Sequence, residues 1–321
     1  MEKKRRLTNE QKRIIEKRRR ARRRKRNAFI ALFCLIILAI VAAIGVGVYS
    51  IAQNKAEERA AKEAEIAAEE AALEANRAKI AEAAELAAVY DYDGAIDLLK
   101  SIDGYDDNGE VLDAIAEYTV IKTTLKAVDC TKVPHIFFHS LIVDTSRAFD
   151  EEKWGEAEVA GINAWMTTIE EFDRIMQQLY DNGYVLVRMR DLVTQVTTED
   201  GSVVFKANPS LLLPEGKKAS VLSIDDWSYY HSYTGKGYGD KAVVDEQGNV
   251  KVQYTDANGN VDIGDYDVVP RLNSFIETHP GFSYKGARGM IALTGYNGGF
   301  GYRTDEDYVN RQSLQRDQSE W

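Results

Sequence analysis

Cysteine is scarce in this chain of 321 residues: there are two, Cys34 and Cys130. Cys34 lies inside an apolar run, so Cys130 stands alone in the polar part of the chain. A disulfide framework and a multi-cysteine zinc site are therefore excluded, and Cys130 reads as a small core residue. Charge is missing altogether from Ala28 to Ala52, and Gly and Pro are missing from Gln53 to Ala88. Histidine is thin as well. After Asp226 the chain has only His231 and His279, which are 48 residues apart and do not form a short-spaced metal pair.

What is present is unevenly charged. Residues 1–27 carry fifteen Lys or Arg against three Glu, a net +12, so the remainder carries −22 of the overall −10. KRRRARRRKR at 17–26 has the composition of a nucleic-acid patch, but the uncharged run directly after it explains it better. As a helix, residues 28–52 cover about 37 Å at ~1.5 Å per residue, more than a hydrocarbon core of about 30 Å. The run is longer than a signal-peptide core, and no small-x-small cleavage pattern closes it cleanly. Phe33 stands where a lipoprotein signal at Cys34 would need a small residue. The reading is a basic cytoplasmic tail (1–27) and an uncleaved transmembrane helix (28–52), with everything beyond it extracellular. Nucleic acid is not an expected partner.

Residues 53–79 are rich in Ala, Glu, Lys and Arg, a strongly helix-forming composition. Ile66, Leu73 and Ile80 recur at heptad spacing, but a stable coiled coil needs two large apolar residues per heptad. The expectation is a solvated helical stalk with weak self-association. Residues 80–129 show helical periodicity broken at Asp91–Gly94 and resumed twice. YDYDGAIDLL resembles the turn and second helix of a tetratricopeptide unit, and a single such unit suits a helical-hairpin spacer.

From Pro134 the texture changes. VPHIFFHSLIVD is aromatic and β-branched, hence a strand. Its His135 and His139 would lie about 13 Å apart at ~3.3 Å per residue, too far to share one ion; a hydrogen-bonded structural role is the default for each. In MTTIEEFDRIMQQLYDNGYVLV, Thr168 and Glu171 form a capping box. Phe172, Ile175, Met176 and Leu179 make one apolar face, Asn182-Gly183 closes the helix, and Tyr184 to Val187 forms the next strand. Such strand–helix–strand order favours an α/β sheet or barrel. In ASVLSIDDWSYY, Val221, Leu222 and Ile224 read as a buried strand that delivers Asp225 and Asp226 at its C-terminal end, where α/β folds place chemistry. Two adjacent acids can serve one site only where the strand breaks into a loop, because alternate residues on a strand face opposite ways.

The succession PHIFFHS, then MTTIEEFDRIMQQLYDNGYVLV, then LPEGKKASVLSIDD resembles the polysaccharide deacetylase family, the NodB-type carbohydrate esterases, over about Val133 to Arg303. That resemblance implies a distorted (β/α) barrel and a divalent metal, zinc, with an acetylated glycan as substrate and loss of N- or O-acetyl groups as the reaction. It implies Asp225 as the catalytic base and Asp226 as the first metal ligand, and it matches His139 to the histidine of the family's opening strand. Trp227, Tyr229, Tyr230 and His231 become candidate substrate-contacting or site-lining residues.

The chain also departs from the family. Ser223 and Ile224 replace the usual Thr and Phe, and Trp227 stands where the family has Gly. The family's second motif, His-Ser/Thr-x-x-His, which supplies the other two metal ligands, is missing after Asp226. His279, in IETHPGF, reads as a helix cap or surface residue. Near 241–267, EQGNV and DANGNVD mark an inserted β-hairpin pair; DANGNVD lacks the Gly and Glu of an EF-hand calcium loop. The glycines at 295, 298, 299 and 301 lack the Lys-Ser/Thr of a phosphate loop. The expectation is therefore an incomplete deacetylase-type (β/α) barrel over 130–321, behind the membrane helix, stalk and hairpin. The alternative is a glycan-binding or envelope scaffold ectodomain that has lost its metal site, with Trp227, Tyr229 and Tyr230 stacking on sugar rings.

Overall fold

The computed structural model describes residues 9–303, which divide into two compact units between Ala75 and Asn76. Helix α1 spans Asn9–Ala88, 80 residues without a break. Its uncharged segment gives an 18-residue window of mean hydropathy 3.2 with no part buried, so the helix is long and apolar enough to cross a membrane.

The second unit is mixed α/β. Two short helices, α2 (Tyr92–Lys100) and α3 (Gly109–Thr124), follow α1. Each starts at a side-chain cap: Asp91 accepts from Gly94 N–H, and Asn108 accepts from Glu110 and Val111 N–H. Ala83, Ala95, Leu99, Ile102 and Val111 are the apolar stripes that hold this hairpin together.

The sheet that follows is parallel. Strand β1 (His135–Phe138) precedes helix α4 (Ile169–Asp181), which leads into β2 (Tyr184–Leu186). A hairpin of β3 (Val193–Thr197) and β4 (Val203–Ala207) then leads to the central strand β5 (Lys218–Asp225). Strands β6 (Lys241–Val244), β7 (Val250–Thr255) and β8 (Val261–Gly264) form a separate antiparallel sheet. Helix α5 (Val268–Thr278) and strand β9 (Met290–Ala292) return to the main sheet. There β1 and β9 flank the C-terminal half of β5, while β2 pairs with its N-terminal residues Lys218–Ser220.

Alternation along β5 decides what covers each face. Leu222 and Ile224 pack with Phe138 of β1 against α4 (Phe172, Met176) and α5 (Leu272, Ile276). Ala219 and Val221 face the other way and meet Tyr90, Tyr92, Val185, Val187, Leu211 and Leu213. The helical hairpin, expected as a spacer, thus contributes its Tyr90–Tyr92 turn to the core under the sheet. It is stapled there by Tyr90 Oη donating to Gly281 O (2.6 Å) and by Lys285 paired with Asp91 (2.8 Å). Toward its C-terminal end that face opens: Ser223 is still buried, but Asp225 is partly exposed and the neighbouring Phe137 of β1 is 52% exposed.

Among the described residues the sheets are not closed into a barrel. Closing a small parallel barrel takes about eight tilted strands, whereas this sheet has four. The edge strand β9 leaves Met290, Ile291 and the following Leu293 between 42% and 46% exposed.

Local readings fare better. The Thr168–Glu171 capping box is present in both directions, and α4 ends at Asn182 with Gly183 at φ +80°. Both inserted turns are hairpins: Asp245 accepts from the N–H of Gln247 and Asn249, and Asp256 from those of Asn258 and Asn260. Cys130 is partly buried and donates its thiol to Asn208 O at 3.3 Å. Removing the α4 cap with Thr168→Ala leaves the Glu171 N–H without its acceptor. The expected cost is about 1 kcal/mol, read as a lowered urea midpoint with an unchanged slope.

Candidate functional site

The site is built where β5 ends. Asp225 is the last ladder residue, paired in register with Ala292 of β9. Asp226 N–H still donates to Ala292 O at 3.0 Å, but its φ of +56° turns the chain out of the strand. That turn is the break which two adjacent acids require to share one site. Left-handed backbone on a non-glycine residue costs about 1–3 kcal/mol and persists only where surrounding structure enforces it. Among the described residues six non-glycines have positive φ, and Asp226, Tyr229, Asn297 and Phe300 all lie in the loops after β5 and β9. Backbone bonds enforce these turns: Ser228 N–H donates to Asp226 O (2.5 Å), and Phe300 N–H donates to Trp227 O (3.0 Å). Arg303 bridges both loops, donating to Tyr229 O (2.7 Å) and Asn297 O (3.2 Å).

Asp225 is partly buried on the open face. Ser223, two residues earlier and on the same side, donates its hydroxyl to Asp225 Oδ1 at 3.0 Å. Ser223 Oγ also lies 2.9 Å from His135 Nε2. A hydroxyl has one proton, and here it is given to Asp225, so His135 Nε2–H is the donor. His135 has the hydrogen-bonded role expected of it, at the head of a His135–Ser223–Asp225 chain. His139 lies one step past the Phe138–Ile224 register pair, level with Asp225. Its Nδ1 is buried and makes no hydrogen bond, and its ring meets Phe137 edge-on at 6.0 Å.

Two expected sugar-stacking residues require correction. Trp227 and Tyr229 are 2% and 1% exposed, so neither offers a face to a sugar ring. Both are apolar enough to anchor the strained loop in the core, and that is where they go. Trp227 packs edge-on against Phe300 at 5.1 Å and donates its indole N–H to Tyr229 Oη at 2.8 Å. Tyr229 donates in turn to Asp267 Oδ2 at 2.5 Å.

Tyr230 remains at the surface of the site. Its hydroxyl lies 3.0 Å from Thr294 Oγ1, and its ring is 5.4 Å from Tyr233 and 5.5 Å from Tyr296. Burial pushes the Tyr230 phenol up, the Thr294 bond opposes that shift, and the neighbouring Asp226 carboxylate reinforces it. His231 is partly buried and donates its backbone N–H to Asn297 Oδ1 at 3.2 Å. His279 caps α5, its ring stacked on Phe275 at 4.3 Å.

Sequence reasoning missed Ser223 as an orienting hydroxyl, Tyr296, and the buried Asp267. Tyr296 was findable. Once Met290–Ala292 is a strand parallel to β5, the loop after it must lie beside the loop after Asp225. Asp267 gave no local signal beyond a helix-capping position, because its role depends on contacts distant in sequence.

The metal implied by the family resemblance can be tested on the donor set. A catalytic zinc takes three protein ligands, and no group of three His, Cys, Asp or Glu among the described residues could hold an ion. Asp226 supplies one carboxylate, so the described residues do not fit that metal. No protein-family model matches the chain, and neither the curated proteins nor the solved structures contain a match.

Proposed function

We propose that this chain is a membrane-anchored, extracytoplasmic protein of the polysaccharide deacetylase type, removing N- or O-acetyl groups from a cell-envelope or other glycan. In this reading the N-terminus is cytoplasmic, the apolar segment of α1 is a single-pass anchor, and the mixed α/β unit beyond it is extracytoplasmic. The observation that carries it is Asp225 and Asp226 divided across the end of the central parallel strand, with Asp225 oriented on the open face by Ser223 and His135. Hydrolysis of an acetamide or ester needs a water that loses its proton as it attacks the carbonyl. Asp225 is the acceptor for that proton, and the Ser223 hydroxyl fixes which carboxylate oxygen remains available.

A second reading, a glycan-binding ectodomain without catalysis, is favoured by one observation. Tyr296, 66% exposed, and the adjoining Tyr230 offer aromatic surface beside carboxylates that have no three-ligand metal set among the described residues. One experiment separates the two: acetate release from acetylated oligosaccharides by the full chain in micelles, with Asp225→Asn and Asp226→Ala. The deacetylase reading expects release by the parent chain and its loss, by about a hundredfold or more, in Asp225→Asn. Release that is equal in all three removes the two acids from the mechanism. Saturable oligosaccharide binding without release, weakened by Tyr296→Ala, establishes the second reading instead.

A further inference from the structure

The mechanism makes no use of the most deeply buried acid of the site region. Asp267 is 0% exposed, yet its two oxygens hold three parts of the fold together. Oδ1 accepts from Leu141 N–H at 3.0 Å, just beyond His139, and from Val268 N–H at 2.7 Å, at the start of α5. Oδ2 accepts from Tyr229 Oη at 2.5 Å, and Tyr229 in turn accepts from Trp227.

A carboxylate buried to this depth is costly unless every oxygen is used, and here each one reaches a different loop of the site. The Tyr229 side matters most. Residues 226–229 hold two left-handed non-glycine conformations, Asp226 and Tyr229, which relax unless something anchors them. Backbone bonds fix the turn locally and burial of Trp227 and Tyr229 seats it in the core, while the Trp227–Tyr229–Asp267 chain is the hydrogen-bonded link that ties it to Leu141 and to the start of α5. We infer that Asp267 is a positioning residue: it locks the loop carrying Asp226 and sets it against the strand end carrying His139. Its consequence for turnover rests on the deacetylase reading; its consequence for the loop does not.

The substitutions separate the two sides of the brace. Asp267→Asn keeps a carbonyl oxygen for Leu141 and Val268 but presents an N–H₂ to Tyr229, whose oxygen already accepts from Trp227. Tyr229→Phe deletes the same link from the other end, and Asp267→Ala deletes both sides. The measurement is amide hydrogen exchange by mass spectrometry on the full chain in micelles. Exchange in 225–231 is expected to rise about tenfold in Tyr229→Phe and in Asp267→Asn, the scale of one lost hydrogen bond to a charged group. The double variant should rise no further, because both changes break one link. Exchange in 139–142 should rise only in Asp267→Ala. If the parent chain releases acetate, kcat should fall in Tyr229→Phe with KM unchanged. Unchanged exchange in 225–231, or an equal rise across α2, β7 and α5, overturns the assignment. Loss of the deacetylase reading shows separately, as a parent chain that releases no acetate while the exchange pattern holds.

Discussion

Phe172→Ala is expected to destabilise the second unit by about 3–5 kcal/mol, the range for emptying a large aromatic site in a packed core. Phe172 is 0% exposed on the inner face of α4. Its ring meets Phe138 edge-on at 5.0 Å, and Phe138 pairs in register with Ile224, the residue before Asp225. The cavity would therefore open directly behind the strand ends of the site. Against a total stability of about 5–15 kcal/mol for a typical domain, that loss is a large fraction. Urea unfolding followed by tryptophan fluorescence checks it, with Phe205→Ala as the control. Phe205 is 67% exposed on the β3–β4 hairpin, so its removal should stay within about 0.5 kcal/mol. A Phe172→Ala loss under about 1 kcal/mol would mean that α4 does not pack on the sheet as described.

The second large effect depends on pH. Burial pushes the Asp267 carboxyl up to about 6 from 3.8, against the opposing bonds from Tyr229, Val268 N–H and Leu141 N–H. A raised carboxyl pKa means that the folded state holds the proton more tightly than the unfolded state. Its contribution is present in full below about pH 4 and declines as pH rises toward about 6. At ~1.4 kcal/mol per unit, the span of roughly two units is about 3 kcal/mol. Surface carboxylates held low by turn bonds, such as Asp245 and Asp256, titrate with the opposite sign. The quantity to measure is therefore the stability of the parent chain minus that of Asp267→Asn, from pH 3.5 to 7. That difference should fall by about 3 kcal/mol over the interval. A flat difference would mean that Asp267 keeps an ordinary carboxyl pKa in the fold.

Much of the architecture was legible because it is written in local chemistry. Thr168 and Glu171 specify a helix start, Asn-Gly a helix end, and Asp-x-x-Gly-Asn a hairpin turn, each within a few residues. The short apolar run of Val221, Leu222 and Ile224 was enough to mark a buried strand. What stayed hidden depends on residues brought together from far apart. Trp227 and Tyr229 look like surface aromatics beside two acids, and only the sheet beneath them and Asp267, 38 residues on, make them core. His135 could be assigned a hydrogen bond but not a partner, since Ser223 is 88 residues away. Closure was overestimated for a related reason: strand–helix–strand order implies parallel pairing but not how many strands complete a circuit.

The central strand β5 has a consequence in time as well as in space. Its neighbours come from residues 135–138, 184–186 and 290–292, so almost none of its pairing is local, a pattern associated with slow assembly. Asp226 depends on Ala292 O for its backbone bond, and the left-handed turn after it is held by Phe300 and Arg303. A ribosome adding roughly 5–20 residues per second has delivered β5 several seconds before it delivers those partners. The apolar segment of α1 emerges long before either. The acids of the site are thus made early and take up their geometry late, after the long apolar segment has left the ribosome.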